Sequence, residues 1–167
     1  MSRAGVLLIN PRFPHNVGST LRACALLGAD TLAWTGERVP APDNWPEGAR
    51  LPREERMKCY ARTTMEHYDN ALGLLSWVRS ENWTPVCIEI TDSAEDLRDF
   101  DHPEQPLYIF GPEDGGVPKT VRMQCHRFVK IPVAIPNSDP DSRTPYNLAA
   151  AVNLVLYDRF AKERVYA

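Results

Sequence analysis

The sequence predicts an α/β fold with a mostly parallel sheet flanked by helices, and three observations carry that prediction. Short apolar runs alternate along the chain with stretches of helical period. Several of those runs, AGVLLIN at 4–10 above all, are apolar on both faces, as strands covered by helices on two sides must be. The segments between are rich in proline, glycine and charge, and 15 prolines in 167 residues is about twice the usual share. A chain of 167 residues is expected to make one domain, spanning 1–167. With 43% apolar and 25% charged residues it has the composition of a folded chain rather than a disordered one. No apolar run approaches the roughly 20 residues of a membrane span, and MSRAGVLLINPRFPHN lacks the cleavage site of a secretory signal, so a cytoplasmic protein is expected.

Each element has its own signal. Residues 4–10 read as a buried strand ended by Pro11. Asn16 follows a turn with two prolines and stands where a helix N-cap belongs. The helix that follows, VGSTLRACALL, stops at Gly28. TLAWT at 31–35 is a second strand, and 36–53 is a loop. Residues 66–81 suit a helix, and VCIEI at 86–90 another strand. A short helix is expected at 93–99, with Ser93 as cap. LYIF at 107–110 is a strand entering GPEDGG, 117–125 a helix, and FVKIP at 128–132 a strand. The polar loop IPNSDPDSRTP then leads to a last helix from about Tyr146, with Ala149, Val152, Leu156 and Phe160 on one face.

In parallel sheets ligands bind where strand ends enter loops. Three loops therefore matter: 10–18, 110–118 and 132–147. The loop Gly111-Pro112-Glu113-Asp114-Gly115-Gly116 is no nucleotide cradle, because no G-K-[ST] and no G-x-G-x-x-G occurs there. It is either a tight surface turn or a place where backbone approaches a cationic or hydroxyl-rich ligand beside two carboxylates. Arg22, in an otherwise apolar helix, either snorkels to solvent or reaches a phosphate or carboxylate. Asn153 is ambiguous in the same way.

A net charge of −3 argues against a dedicated nucleic-acid binder, but the distribution matters more. Seven acids and one base lie in 89–104, five bases and two acids in 50–62, and four bases and no acid in 119–130. An acidic strip thus conceals a basic face, or else these are ordinary solvated charges. Cys24, Cys59, Cys87 and Cys125 make no C-x-x-C pair, so buried thiols are expected rather than a metal or disulfide framework.

Together the three loops resemble the SPOUT superfamily of RNA methyltransferases, and within it the SpoU (TrmH-like) family. The first family motif, N-x-G-x-x-x-R, matches Asn16, Gly18 and Arg22. The second, F-G-x-E-x-x-G, matches Phe110, Gly111, Glu113 and Gly116. The third, an isoleucine-proline strand end followed by an asparagine opening a long helix, matches Ile131, Pro132 and Asn147. Order and spacing agree over nearly the whole chain. One position departs: the family usually has serine two residues before the last asparagine, where this chain has Pro145, with Thr144 the nearest hydroxyl.

The resemblance implies a C-terminal trefoil knot, S-adenosylmethionine bound in it, an obligate homodimer, and methylation of an RNA ribose 2′-hydroxyl. The RNA is tRNA, as in the minimal family members, or rRNA. No metal is implied. Arg22, Asn16 and Glu113 are the implied catalytic residues, with Arg22 either the base or, since a guanidinium keeps its proton, an anchor for developing charge. Ile90, Gly111, Gly116, Ile131, Asn147 and Leu148 are the implied cofactor contacts. Arg12, His15, Arg53, Arg56 and Arg62 are the candidate RNA contacts. Two rival readings stand beside this one: a small-molecule-binding α/β domain with no RNA partner, and a knotted RNA-binding protein without catalysis. Cofactor binding separates both from an active enzyme.

Overall fold

The computed structural model describes residues 3–41 and 61–165. Its chain order is β1 (Gly5–Leu8), α1 (Pro14–Leu27), β2 (Thr31–Thr35), β3 (Thr64–Tyr68), α2 (Ala71–Ser80), β4 (Thr84–Ile88), β5 (Glu95–Asp96), β6 (Pro106–Phe110), α3 (Lys119–Arg122), β7 (Arg127–Lys130) and α4 (Leu148–Val165). The seven strands form one sheet in the order β3-β2-β1-β6-β4-β7-β5. Every pairing is parallel.

The two-faced apolar strands explain the layers. Side chains alternate across a strand, so Val6, Leu8, Leu32, Trp34, Tyr108 and Phe110 face one way and form a core with α1 and α4. Leu7, Ile9, Ala33, Leu107 and Ile109 face the other way and pack with α2 and α3. Each fully buried aliphatic side chain here contributes about 1.5–3 kcal/mol of transfer free energy. Both halves of the pattern are needed, which is why β1, β2 and β6 are buried at every residue. Cys24, Cys87 and Cys125 are buried free thiols, as expected.

The direction of travel places the site. From β1 the chain moves outward through β2 to β3, then returns to build the other half of the sheet around β6. The loops that leave β1 and β6 therefore diverge at the carboxyl edge, the switch point at which parallel sheets bind ligands.

Three local expectations change. α1 begins at Pro14, with Phe13 in the cap position and no side-chain cap bond, because proline suits the first helical turn. Asn16 thus lies inside the helix, buried, instead of capping it. Residues 64–68, partly expected as helix, form the edge strand β3 before α2. Residues 93–99 are not an α-helix but the short strand β5 and a 3-10 turn, capped by Asp96 rather than Ser93. Gly28 does end α1 in the left-handed region, at φ 78°. Among the described residues no helix is long and apolar enough to cross a membrane.

Candidate active site

A cleft of about 620 Å³ opens at the carboxyl edge of β4, β6 and β7. Its walls come from all three segments singled out above. Ile88 ends β4 and Glu89 and Ile90 follow it, Gly111 to Glu113 with Gly115 and Gly116 follow β6, and Ile131 follows β7. His15 and Asn16 of α1, Asn147, and Leu148 and Ala151 of α4 complete it. All six expected cofactor contacts, Ile90, Gly111, Gly116, Ile131, Asn147 and Leu148, therefore meet in one place.

One chain of hydrogen bonds joins the three motifs. Asn147 Nδ2 donates to Asn16 Oδ1 at 3.3 Å. Asn16 Nδ2 donates to Glu113 Oε1 at 2.6 Å, and the Arg12 backbone N–H to Glu113 Oε2 at 2.7 Å. Burial alone would push the Glu113 carboxyl up; the bonds from Arg12 and Asn16 outweigh it and hold the group below the ordinary carboxylate range. Asn147 also caps α4, its Oδ1 accepting the N–H groups of Ala149 at 3.0 Å and Ala150 at 3.3 Å. One residue so starts the helix and ties it to α1.

The glycines are where backbone meets backbone. A Cβ on Gly111 would lie 2.7 Å from the Gly116 carbonyl carbon and the Val117 nitrogen. A Cβ on Gly116 would lie 2.9 Å from Glu89 Oε2. That oxygen accepts the Val117 N–H at 2.8 Å, so Glu89 pins the end of the loop. From sequence alone Glu89 falls in the expected strand 86–90 and in an acidic strip, with no role in the site. The available signal was its place, immediately after an apolar strand at the carboxyl edge.

The expected catalytic arginine sits elsewhere. Six helical residues separate Arg22 from Asn16, which is about 9 Å along the axis and about 240° around it. Asn16 points into the cleft, while Arg22 is exposed and lines none of it. Leu26 of α1 and Leu154 and Tyr157 of α4 are large apolar side chains that are also exposed. Asn153 is exposed too, its amide donating to the Ala149 carbonyl of its own helix at 2.8 Å.

Of the candidate RNA contacts, Arg12 and His15 are exposed; His15 lines the cleft, its ring stacked on Phe13 at 5.3 Å, and Arg12 adjoins it through its backbone bond to Glu113. Arg62 is exposed just before β3, at the amino edge of the sheet and away from the cleft. Arg53 and Arg56 lie outside the described residues.

The fold agrees with the comparisons. A family model, that of the SpoU rRNA Methylase family, matches residues 3–157. The chain belongs to the SpoU rRNA methylase family. It is 28% identical over 158 residues to a 23S rRNA (uridine(2479)-2′-O)-methyltransferase of Streptomyces viridochromogenes, covering 92% of this chain and 51% of that one. It is 25% identical over 149 residues to a tRNA (cytidine(34)-2′-O)-methyltransferase of Beijerinckia indica subsp. indica, covering 89% and 85%. The crystal structure of the SpoU methyltransferase AviRb from Streptomyces viridochromogenes, in complex with AdoMet, superposes with a TM-score of 0.78 at 23% identity over 98% of this chain and 61% of that one. The chain thus spans about half the length of the first relative and most of the second. The parallel sheet flanked by helices is the fold expected from the sequence.

Proposed function

We propose that this SpoU-family chain is a cytoplasmic, single-domain homodimeric enzyme that uses S-adenosylmethionine to methylate a ribose 2′-hydroxyl of RNA, with tRNA as substrate. The observation that carries the reading is the hydrogen-bond chain Asn147–Asn16–Glu113, which brings three separate family motifs to one cleft. The relatives named above act on rRNA and tRNA by their names, and the tRNA enzyme is the one whose length this chain nearly matches.

The cleft's chemistry fits the cofactor. Ile88, Ile90, Ile131 and Leu148 give apolar walls for an uncharged purine. At Gly111 and Gly116 the cleft is lined by glycine, and at Gly111 a Cβ would collide with the Gly116–Val117 backbone. Once bound, the cofactor's sulfonium supplies both the methyl group and its own leaving group. The chain's residues do the rest. Asn16 and Glu113 hold the first and second loops in register. Asn147 holds the start of α4 against them, and the C-terminal trefoil knot belongs to the same reading.

A guanidinium offers donors and no acceptor, so Arg22 does not serve as the base. Its task is then to stabilise negative charge developing on the ribose oxygen, or to anchor a neighbouring phosphate. It faces away from its own cleft, so it acts on the cleft of a second copy. The exposed Leu26, Leu154 and Tyr157 give that copy an apolar surface to cover. Arg12 and His15, both exposed, meet the RNA backbone in this reading, where contacts position without reading sequence.

The test is transfer of a labelled methyl group from S-adenosylmethionine to total tRNA and rRNA, with mass spectrometry of the digested RNA. A 2′-O-methylated tRNA nucleotide is expected. Transfer to rRNA alone would overturn the substrate, and transfer to neither would overturn the activity.

A further inference from the structure

The charged side chains that line the cleft among the described residues are Glu89, Glu113 and Arg143, with His15 titratable. Both carboxylates are committed to backbone of the 9–13 and 111–117 loops. Arg143 is different. It stands on the wall between the cleft and a neighbouring cavity of about 370 Å³ lined by Thr91, Asp92 and Lys130, among others. Its guanidinium is held by Asp92 Oδ1 at 3.0 Å, and the two side chains are 71% and 94% exposed. Exposed pairs of this kind hold weakly and exchange readily for a better partner.

The rest of the same loop offers few donors. Pro145 has no N–H, and the Tyr146 hydroxyl already donates to the Pro132 carbonyl at 3.0 Å. Arg143 is thus the cleft's permanent cation, on a 3-10 turn fixed by the Asp139 carboxylate, which accepts the Asp141 N–H at 2.9 Å.

We propose that Arg143 is a specificity residue that binds the carboxylate of the cofactor's amino-acid tail, exchanging Asp92 for it. The inference rests on the cofactor reading above. A guanidinium fork pairs with a carboxylate through two parallel hydrogen bonds, and its loose surface partner makes the exchange easy. Apolar walls take the purine, and Arg143 selects ligands that carry the tail.

Calorimetry on the whole protein with two stable ligands tests this. S-adenosylhomocysteine has the carboxylate, and 5′-methylthioadenosine lacks it. The wild-type protein is expected to prefer the first. R143M should weaken S-adenosylhomocysteine by about tenfold or more, the loss of one charged hydrogen-bonded pair, and leave 5′-methylthioadenosine within about twofold. R143K, which keeps charge without the fork, should restore part of the loss. D92N should leave S-adenosylhomocysteine as tight as before or tighter. Equal weakening of both ligands by R143M would overturn the proposal, because Arg143 would then only shape the cleft. No weakening of either would overturn it too, as would a loss in D92N matching that in R143M. A wild-type protein that binds neither ligand would instead bring down the cofactor reading itself.

Discussion

The cleft and the outer face of α1 and α4 are built on opposite plans. In the cleft Asn16, Glu89, Glu113 and Asn147 all spend their hydrogen bonds on other parts of the chain. On the outer face Arg22, Leu26, Leu154 and Tyr157 are exposed. The contrast separates two tasks that an enzyme must perform. Holding a cofactor needs groups fixed in advance, since any freedom left to them is lost on binding. Meeting an RNA and a second copy needs groups still free to make contacts. On the proposed reading, one chain carries a finished holder and a reactive centre that a second copy completes.

The strongest way to break the holder is Gly111→Ala. The new methyl group would meet the Gly116–Val117 peptide at 2.7 Å, and backbone cannot swing aside as a flexible side chain does. Overpacking of this kind costs about 1–3 kcal/mol of stability. Displacing the loop by an ångström costs about 100-fold in methyl transfer. Circular dichroism should show a folded protein and single-turnover assays the loss. A Gly111→Ala enzyme with wild-type rates would show that the loop is not a precise holder.

The next prediction exploits the outward Arg22. Arg22→Ala keeps an intact cleft without the cation proposed to act, and Gly111→Ala keeps that cation beside a spoiled cleft. Each alone should be inactive. Mixed and allowed to exchange subunits, they should recover about a quarter of the wild-type activity, from one working site in each mixed dimer. Ultracentrifugation of the wild type should give twice the chain mass of 18.9 kDa. A mixture as dead as its components would place Arg22 and the cleft within one subunit's own centre.

Asn147→Ala should do less damage than either. Losing the cap should remove about 1 kcal/mol of stability. It also cuts the bond to Asn16, so S-adenosylhomocysteine affinity should fall further in Asn147→Ala than in Arg22→Ala. Calorimetry on the two variants decides it, and equal losses would deny the division of labour between cleft and outer face.

How much of this was legible follows the same physics. β1, β2 and β6 are buried on both faces, and such strands show as apolar runs whatever their partners. β3 did not show, because TMEHY is an edge strand whose polar residues guard an open edge. β5 has two residues, too few for any period. Asn16 was visible as a motif residue but not as a buried one, since an asparagine after two prolines reads equally well as a cap. The three motifs were legible as types and spacings. That Glu89 joins them was not, since the bond to Val117 spans 28 positions and its place at the end of an apolar strand is the one local hint.

A third region, neither cleft nor outer face, gives the smallest predicted effect and serves as the control. Near the far end of α4, His102 Nδ1 lies 2.6 Å from the Tyr108 hydroxyl and Nε2 lies 2.8 Å from Asp158 Oδ2. A neutral ring fits both at once, with Nε2–H donating to Asp158 and Nδ1 accepting from Tyr108. Lys162 Nζ also bonds Asp158, at 2.8 Å, and Arg159 adds a second positive charge nearby. Burial lowers the His102 pKa, and Asp158 opposes that without reversing it. The sign follows from linkage. A histidine whose folded pKa is depressed takes up protons first in the unfolded chain. Its contribution to stability is complete above the unfolded value of about 6.5 and is lost as pH falls below it towards the folded value. Denaturant unfolding should therefore show stability declining from pH 7 to pH 5, and the His102→Gln variant should flatten that decline. Cofactor affinity should not follow the His102 titration, because this network anchors α4 at the end away from Asn147. An S-adenosylhomocysteine affinity that tracked the stability of the wild type across this range, and lost its pH dependence in His102→Gln, would mean that the two ends of α4 are coupled and that the cleft is not a self-contained holder.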